Sequence, residues 1–384
     1  MDEKSIDALP LLNGGPKFPN RRICMLMVTH ECNLNCVYCY EAFKGSRKMS
    51  FEMAISVLKK ELALVRQSGG KFKEHEVEFM GGEPMMNFDL IKKVVLWMKA
   101  NAGDIPWISF CSTNGTLVTD EIKPWLTANR SSFVMGLSYD GDCEMQTSNR
   151  GTQRLAIDVE FFIKTWPRQN MHMTVSRETL PRLARGIVSV QELGGGVDVA
   201  LAQGVGWVDS DAALFLEQLR SLGKIYLARS DLKPVNLMSR SLGSIDGGDR
   251  PQKKFCGTGT HMIAYDVDGQ PYPCHMFTPI VMGPDTAILL KNVHLSDGCV
   301  LDDPYCDGCL YKNWCPTCCG FNFRIRGDLA KRDHAWCLMI EAQVVALIEF
   351  QVAFYRKNMS SLTSADAAQL RGLLKAYETI KTRR

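Results

Sequence analysis

The chain has 384 residues, 46% of them hydrophobic, which is enough to bury one large α/β unit and a smaller one and excludes wholesale disorder. Basic residues number 45 against 42 acidic, net +3, and no basic stripe stands out, so charge gives no case for nucleic acid or an anionic membrane. The polar, acidic start MDEKSIDALP is no secretory signal, and no uninterrupted apolar run reaches about 18 residues. A cytoplasmic protein with no membrane and no nucleic-acid partner is expected.

After a Pro/Gly-punctuated lead-in over 1–20, the apolar run Ile23 to Val28 predicts a strand buried on both faces. A cysteine-rich loop follows it. Ser50 can cap a helix carrying Ile55, Leu58, Leu62 and Val65 on one face, which Gly69-Gly70 ends. A strand around Val77 to Met80 leads into Gly81-Gly82-Glu83-Pro84. A helix with Leu90, Ile91, Val94, Val95 and Met98 on one face comes next. Ile108 to Cys111 then leads into Ser112-Thr113-Asn114-Gly115, and Phe133 to Leu137 into Ser138-Tyr139-Asp140-Gly141. Met171 to Val175 and Val197 to Leu201 are further strands. Alternating strands and helices predict a parallel sheet with right-handed crossovers, in which chemistry gathers at the carboxyl ends of strands. Four polar, glycine-rich or cysteine-rich segments fall at such ends. Residues 229–255, rich in Ser, Gly and Lys, read as a linker, and 338–384 as two helices, the second capped by Thr363.

Of the 15 cysteines, nine lie beyond the linker. With no signal peptide, such density points to metal rather than to a disulfide framework. Cys32, Cys36 and Cys39 form C-x3-C-x2-C on one loop, so three thiolates can hold three corners of a [4Fe–4S] cube and leave one iron open to a small molecule. Cys24, on the preceding strand, reads as a buried apolar residue, and Cys111, Cys143 and Cys299 as structural. Beyond the linker, Tyr265 to Gln270 reads as a hairpin with an Asp-Gly turn that folds Cys256 and Cys274 toward each other. The run Cys306, Cys309, Cys315, Cys319, with Cys337 later, can supply two neighbouring centres. A four-cysteine zinc site from Cys306, Cys309, Cys315 and Cys318 is the alternative.

The segment THECNLNCVYCYE, with Tyr38 before its last cysteine, resembles the radical S-adenosylmethionine (SAM) superfamily. The resemblance implies a cluster on Cys32, Cys36 and Cys39 whose open iron binds SAM, and a partial (β/α)6 barrel as the fold class. It also implies SAM contacts from Tyr38, from Gly81, Gly82, Glu83 and Pro84, from Thr113, Asn114 and Ser138, and from Arg150. The later cysteines resemble the SPASM extension of that superfamily. By that resemblance Cys306, Cys309, Cys315 and Cys337 bind one auxiliary [4Fe–4S] cluster and Cys256, Cys274 and Cys319 another, three clusters in all. The fourth ligand of the latter is open, with His261, His275 and Cys318 as candidates. The organisation expected is 1–228 radical SAM core, 229–255 linker, 256–340 SPASM domain with a β-hairpin, and 341–384 C-terminal helices.

Family members of this kind modify ribosomally made precursor peptides. The expected reaction is hydrogen abstraction followed by a thioether, carbon–carbon or ether crosslink, or by epimerisation. An external electron donor such as flavodoxin or ferredoxin is implied as partner. No room for a leader-recognition domain precedes Cys32, so a separate leader-peptide-binding protein is a further expected partner. A sulfatase-type formylglycine maturase is the alternative enzyme, with Asp140 as the candidate catalytic residue. A non-catalytic iron–sulfur electron-transfer protein is the alternative of another class.

Overall fold

The structure is a computed structural model that describes residues 20–151, 157–240, 242, 254, 256–296, 301–358 and 364–383. Cys299, the cap Thr363 and the lead-in over 1–19 lie outside the described residues. In chain order the elements are β1 (Arg21–Thr29), α1 (Phe51–Gln67), β2 (Glu74–Gly81), α2 (Phe88–Asn101), β3 (Trp107–Thr113), α3 (Lys123–Asn129) and β4 (Phe133–Leu137). Then follow α4 (Cys143–Arg150), α5 (Val159–Thr165), β5 (Met171–Val175), α6 (Leu183–Glu192), β6 (Val197–Leu201), α7 (Asp209–Ala228) and α8 (Asn236–Ser239). The hairpin β7 (Met262–Tyr265) and β8 (Pro271–Tyr272) precedes α9 (Pro279–Met282), α10 (Pro284–Leu290), α11 (Cys319–Arg326), α12 (Trp336–Lys357) and α13 (Ser364–Arg383).

The chain divides into two compact units. The first comprises 1–139, 150–171 and 255–299, the second 140–149, 172–254 and 300–384. The first holds a six-stranded sheet in the order β4-β3-β2-β1-β7-β8. β1 to β4 pair in parallel with in-register neighbours such as Leu26 with Phe79 and Phe79 with Cys111. β1 is buried along its whole length, as its unbroken apolar run requires. α1 is capped by Ser50, whose hydroxyl accepts the Met53 N–H at 3.1 Å, and ends before Gly69 and Gly70. Because the strands are parallel, the segments after β1, β2, β3 and β4 all emerge from the same edge of the sheet.

The hairpin does something that the sequence pattern did not announce: β7 pairs in parallel with β1, Ile23 opposite Met262, and so extends the core sheet. Its turn forms as expected, with the Asp266 N–H on the Gln270 carbonyl at 2.9 Å and Gly269 at φ +78°. A buried network welds the hairpin to the sheet. The Arg22 guanidinium donates to both Glu61 oxygens at 2.6 and 3.0 Å and to the Thr260 carbonyl at 2.8 Å, and the Tyr265 hydroxyl donates to Glu61 at 2.6 Å.

In the second unit β5 and β6 form a two-stranded sheet, packed by α6. The described part of the presumed linker is ordered by packing, with α8 and buried Leu232, Val235, Leu237 and Met238. α12 is long and apolar enough to cross a membrane by length and composition alone. Its apolar positions are instead core: Ile340, Val344, Leu347 and Ile348 cluster with Trp314, Leu373 and Ile380.

Candidate cofactor site at the strand ends

The cysteine loop leaves β1 and is folded by its own backbone, with the Cys39 N–H on the Cys36 carbonyl at 3.1 Å and the Lys44 ammonium on the Leu34 carbonyl at 3.1 Å. The glycines after β2 lie directly against it. A Cβ on Gly82 would collide with the Glu31 carbonyl and stand 2.8 Å from the Cys32 Cβ, and one on Gly81 would collide with the Thr29 carbonyl. The Gly82 and Glu83 N–H groups donate to the Thr29 and Glu31 carbonyls at 3.2 and 2.8 Å.

Glu83 is 2% exposed, and its carboxylate is the hub of the strand ends. One oxygen accepts the Thr113 hydroxyl at 2.7 Å and the Met85 N–H at 3.1 Å, the other the Asn114 N–H at 2.8 Å. Burial pushes its pKa up; those donors and the nearby Arg150 charge pull against it. Asn114 in turn donates to the Asn33 side-chain oxygen at 2.9 Å, and Asn33 donates to the Thr116 hydroxyl at 2.8 Å. Asn33 thus ties the cysteine loop to the loop after β3. The sequence reading passed over it, although a polar side chain between two cysteines at a strand end was the available signal. Ser138 donates its N–H to the Thr113 carbonyl at 2.8 Å. The Arg150 guanidinium lies over the Tyr38 ring at 5.4 Å. Pro84 is buried at the start of a 3-10 turn, Pro84–Asn87.

Every residue expected to contact SAM therefore falls in the first unit. Together they give backbone approach from glycines, a buried carboxylate, a guanidinium and polar loop ends around three cysteines. Burial raises the Cys32 thiol, with the Leu34 N–H and Lys44 opposing it; iron would take it as thiolate. Glu41, buried two residues beyond Cys39, is pushed up to about 8 by burial, against the pull of Lys44.

Asp140 lies in the second unit, fully buried. Its oxygens accept the Thr174 N–H at 2.8 Å and the Asn149 amide at 3.2 Å, so it ties α4 to β5.

Two further cysteine groupings remain. Cys256 and Cys274 flank the hairpin of the first unit, and Cys319 opens α11 in the second. His261 packs its ring on Gly257, next to Cys256. His275, next to Cys274, packs at 5.8 Å from the ring of Tyr40, itself next to Cys39, and its Nδ1 is buried without an acceptor or donor. In the second unit Cys306, Cys309, Cys315 and Cys337 line one cavity of about 140 Å³ together with Cys318. Burial pushes Cys337 up to about 11, with Cys315 and Cys309 adding to it. Among the described residues no three His, Cys, Asp or Glu side chains converge tightly enough to hold a single metal ion.

The fold and this site define an α/β protein that gathers a three-cysteine loop, close-packed glycines and a buried carboxylate at the ends of parallel strands. Residues 26–138 match the radical SAM superfamily. A match to that superfamily implies a [4Fe–4S] cluster and SAM as cofactors. The chain is 33% identical over 117 residues to an uncharacterized protein of Methanocaldococcus jannaschii, 30% of this chain and 38% of that one. It is 25% identical over 278 residues to the PqqA peptide cyclase of Gluconobacter oxydans, 70% of this chain and 74% of that one. It therefore spans well under half of the first relative and about three quarters of the second. Among solved structures, anSMEcpe with bound AdoMet and Cp18Cys peptide aligns over 88% of this chain and 99% of its own, with TM-score 0.63 and 17% identity. Streptococcus suis SuiB bound to the precursor peptide SuiA aligns over 83% and 76%, with TM-score 0.51 and 14% identity. The chain shares their fold, an α/β partial barrel followed by a cysteine-rich C-terminal region.

Proposed function

We propose that the protein is a radical SAM maturase of ribosomally made peptides. Cys32, Cys36 and Cys39 would hold a cluster that would supply one electron for the cleavage of SAM to methionine and a 5′-deoxyadenosyl radical, the species that would abstract hydrogen from a peptide residue. The outcome is a thioether, carbon–carbon or ether crosslink, or an epimer. The observation that carries the reading is the packing of Gly82 on Cys32 together with the Glu83–Thr113–Asn114–Asn33 hydrogen-bond chain. It ties the loop of the three cysteines to the segments after β2 and β3, which supports a preorganised site there. In that site Arg150 and Tyr38 orient a carboxylate-bearing ligand, the glycines admit backbone contact, and the buried loops exclude water. A peptide substrate is supported by the similarity to a PqqA peptide cyclase over most of the chain and by the peptides bound to two proteins of the same fold.

The reading includes two auxiliary clusters, on Cys306, Cys309, Cys315 and Cys337 and on Cys256, Cys274 and Cys319. The functional division is a core over 1–228 and a SPASM domain over 256–340. An external donor such as flavodoxin or ferredoxin supplies the electron, and a reducing cytoplasm keeps the thiols available to iron.

Anaerobic reconstitution tests it. Three four-iron clusters give about 12 iron atoms per chain, and the protein with dithionite should release 5′-deoxyadenosine from SAM. The variant Cys32→Ala/Cys36→Ala/Cys39→Ala should lose that release and keep the other iron. Release that survives in this variant rejects the site.

A further inference from the structure

The cavity lined by Cys306, Cys309, Cys315 and Cys337 also holds Arg332 and Trp336. Arg332 is only 6% exposed. Its backbone N–H donates to Asp303 at 2.9 Å and one terminal guanidinium nitrogen to the Lys312 carbonyl at 3.3 Å, but its Nε–H is buried with no acceptor. The Trp336 indole N–H is buried without an acceptor too. The nearby carboxylates have other partners: Asp303 pairs with His334 at 2.9 Å, Asp302 and Asp307 with Lys312 at 2.6 and 3.1 Å, and Asp333, on the same cavity wall, accepts the Ala335 N–H at 3.1 Å. The guanidinium instead faces sulfur, close enough to Cys315, Cys306 and Cys337 to oppose the rise of their thiol pKa values.

Two buried donors without acceptors, one of them cationic, are unfavourable unless an anionic acceptor completes the site. An iron–sulfur cube held by four thiolates is such an acceptor. Its sulfurs take N–H hydrogen bonds, and its negative charge grows by one electron on reduction. Donors and positive charge therefore favour the reduced form and raise the reduction potential. We propose that Arg332 and Trp336 set a raised potential for the cluster at these four cysteines, which fits that site to receive an electron. The inference rests on the reading of the four cysteines as cluster ligands.

The test is a dithionite titration of the full-length reconstituted protein, followed by electron paramagnetic resonance. The relevant signal is the one that Cys306→Ala removes. Trp336→Phe deletes one donor and keeps the ring; Arg332→Lys keeps the charge and deletes Nε. With iron content retained, each should make reduction of that cluster about tenfold less favourable, about 59 mV lower for a one-electron couple. An unchanged potential in Trp336→Phe and in Arg332→Lys, with the signal intact, overturns the inference and leaves the cluster standing. If Cys306→Ala removes neither iron nor signal, the cluster assignment itself falls, and the inference with it.

Discussion

Gly82 packs so closely on Cys32 that a Cβ at 82 would stand 2.8 Å from the Cys32 Cβ, with the Glu31 carbonyl blocking any retreat. Gly82→Ala must therefore push the two loops apart, and overpacking of this kind costs about 1–3 kcal/mol. The expected result is a lower melting temperature and loss of the iron held by Cys32, Cys36 and Cys39, read by iron analysis against the wild type. Full iron content with an unchanged melt would show that the loops accommodate the methyl.

Asn33 joins the cysteine loop to Asn114 and Thr116 and ligates nothing in the proposed scheme. Asn33→Ala removes about 1 kcal/mol of hydrogen bonding. That corresponds to roughly a fivefold rise in the SAM concentration needed for half-maximal 5′-deoxyadenosine release, with iron content unchanged. Isothermal titration with SAM checks the same number independently, and equal affinity in the two proteins would remove Asn33 from the site.

Glu61 is buried against Arg22 and Tyr265. Glu61→Leu leaves the guanidinium in place without its carboxylate, a loss of about 3–5 kcal/mol. Because Arg22 also holds the Thr260 carbonyl, hydrogen exchange should rise first in β7 and β8. Uniform exchange across the sheet would mean that the network does not anchor the hairpin.

His75 on β2 is fully buried with neither ring nitrogen hydrogen-bonded, and burial pulls its pKa down to about 4. Unfolding lets it return to about 6.5. The unfolded chain therefore binds more protons between those values, and stability present above pH 6.5 is lost as pH falls toward 4. At pH 5 the loss is on the order of 2 kcal/mol relative to pH 7.5. His75→Leu should melt at more nearly the same temperature at both pH values, and a pH dependence identical to the wild type would assign the acid sensitivity elsewhere.

Much of the first unit was legible because its signals are local. A run buried on both faces marks β1, helical spacing marks α1 and α2, and parallel pairing places four loops at one edge. The N-terminal cysteine spacing was legible for the same reason, since three cysteines on one loop need no partner from afar. Other features depend on distant chain segments and left no local trace. The β7–β8 hairpin reads as an independent turn, and its place beside β1 follows from the buried Arg22–Glu61–Tyr265 network, whose members are up to 243 residues apart. The acidic Glu83 looked like a ligand group alone, yet its oxygens already hold Thr113, Asn114 and Met85.

By itself the sequence determined the chemistry available: three thiolates on one loop, glycines and a carboxylate after the next strand, and a second cysteine series near the carboxyl end. Only the tertiary structure decided which of these meet. Hydrogen bonding, the exclusion of a Cβ at Gly82 and the buried donors Arg332 and Trp336 depend on ångström-scale approach between segments far apart in the chain. Residue spacing records periodicity along the chain, whereas that approach is set by packing across it.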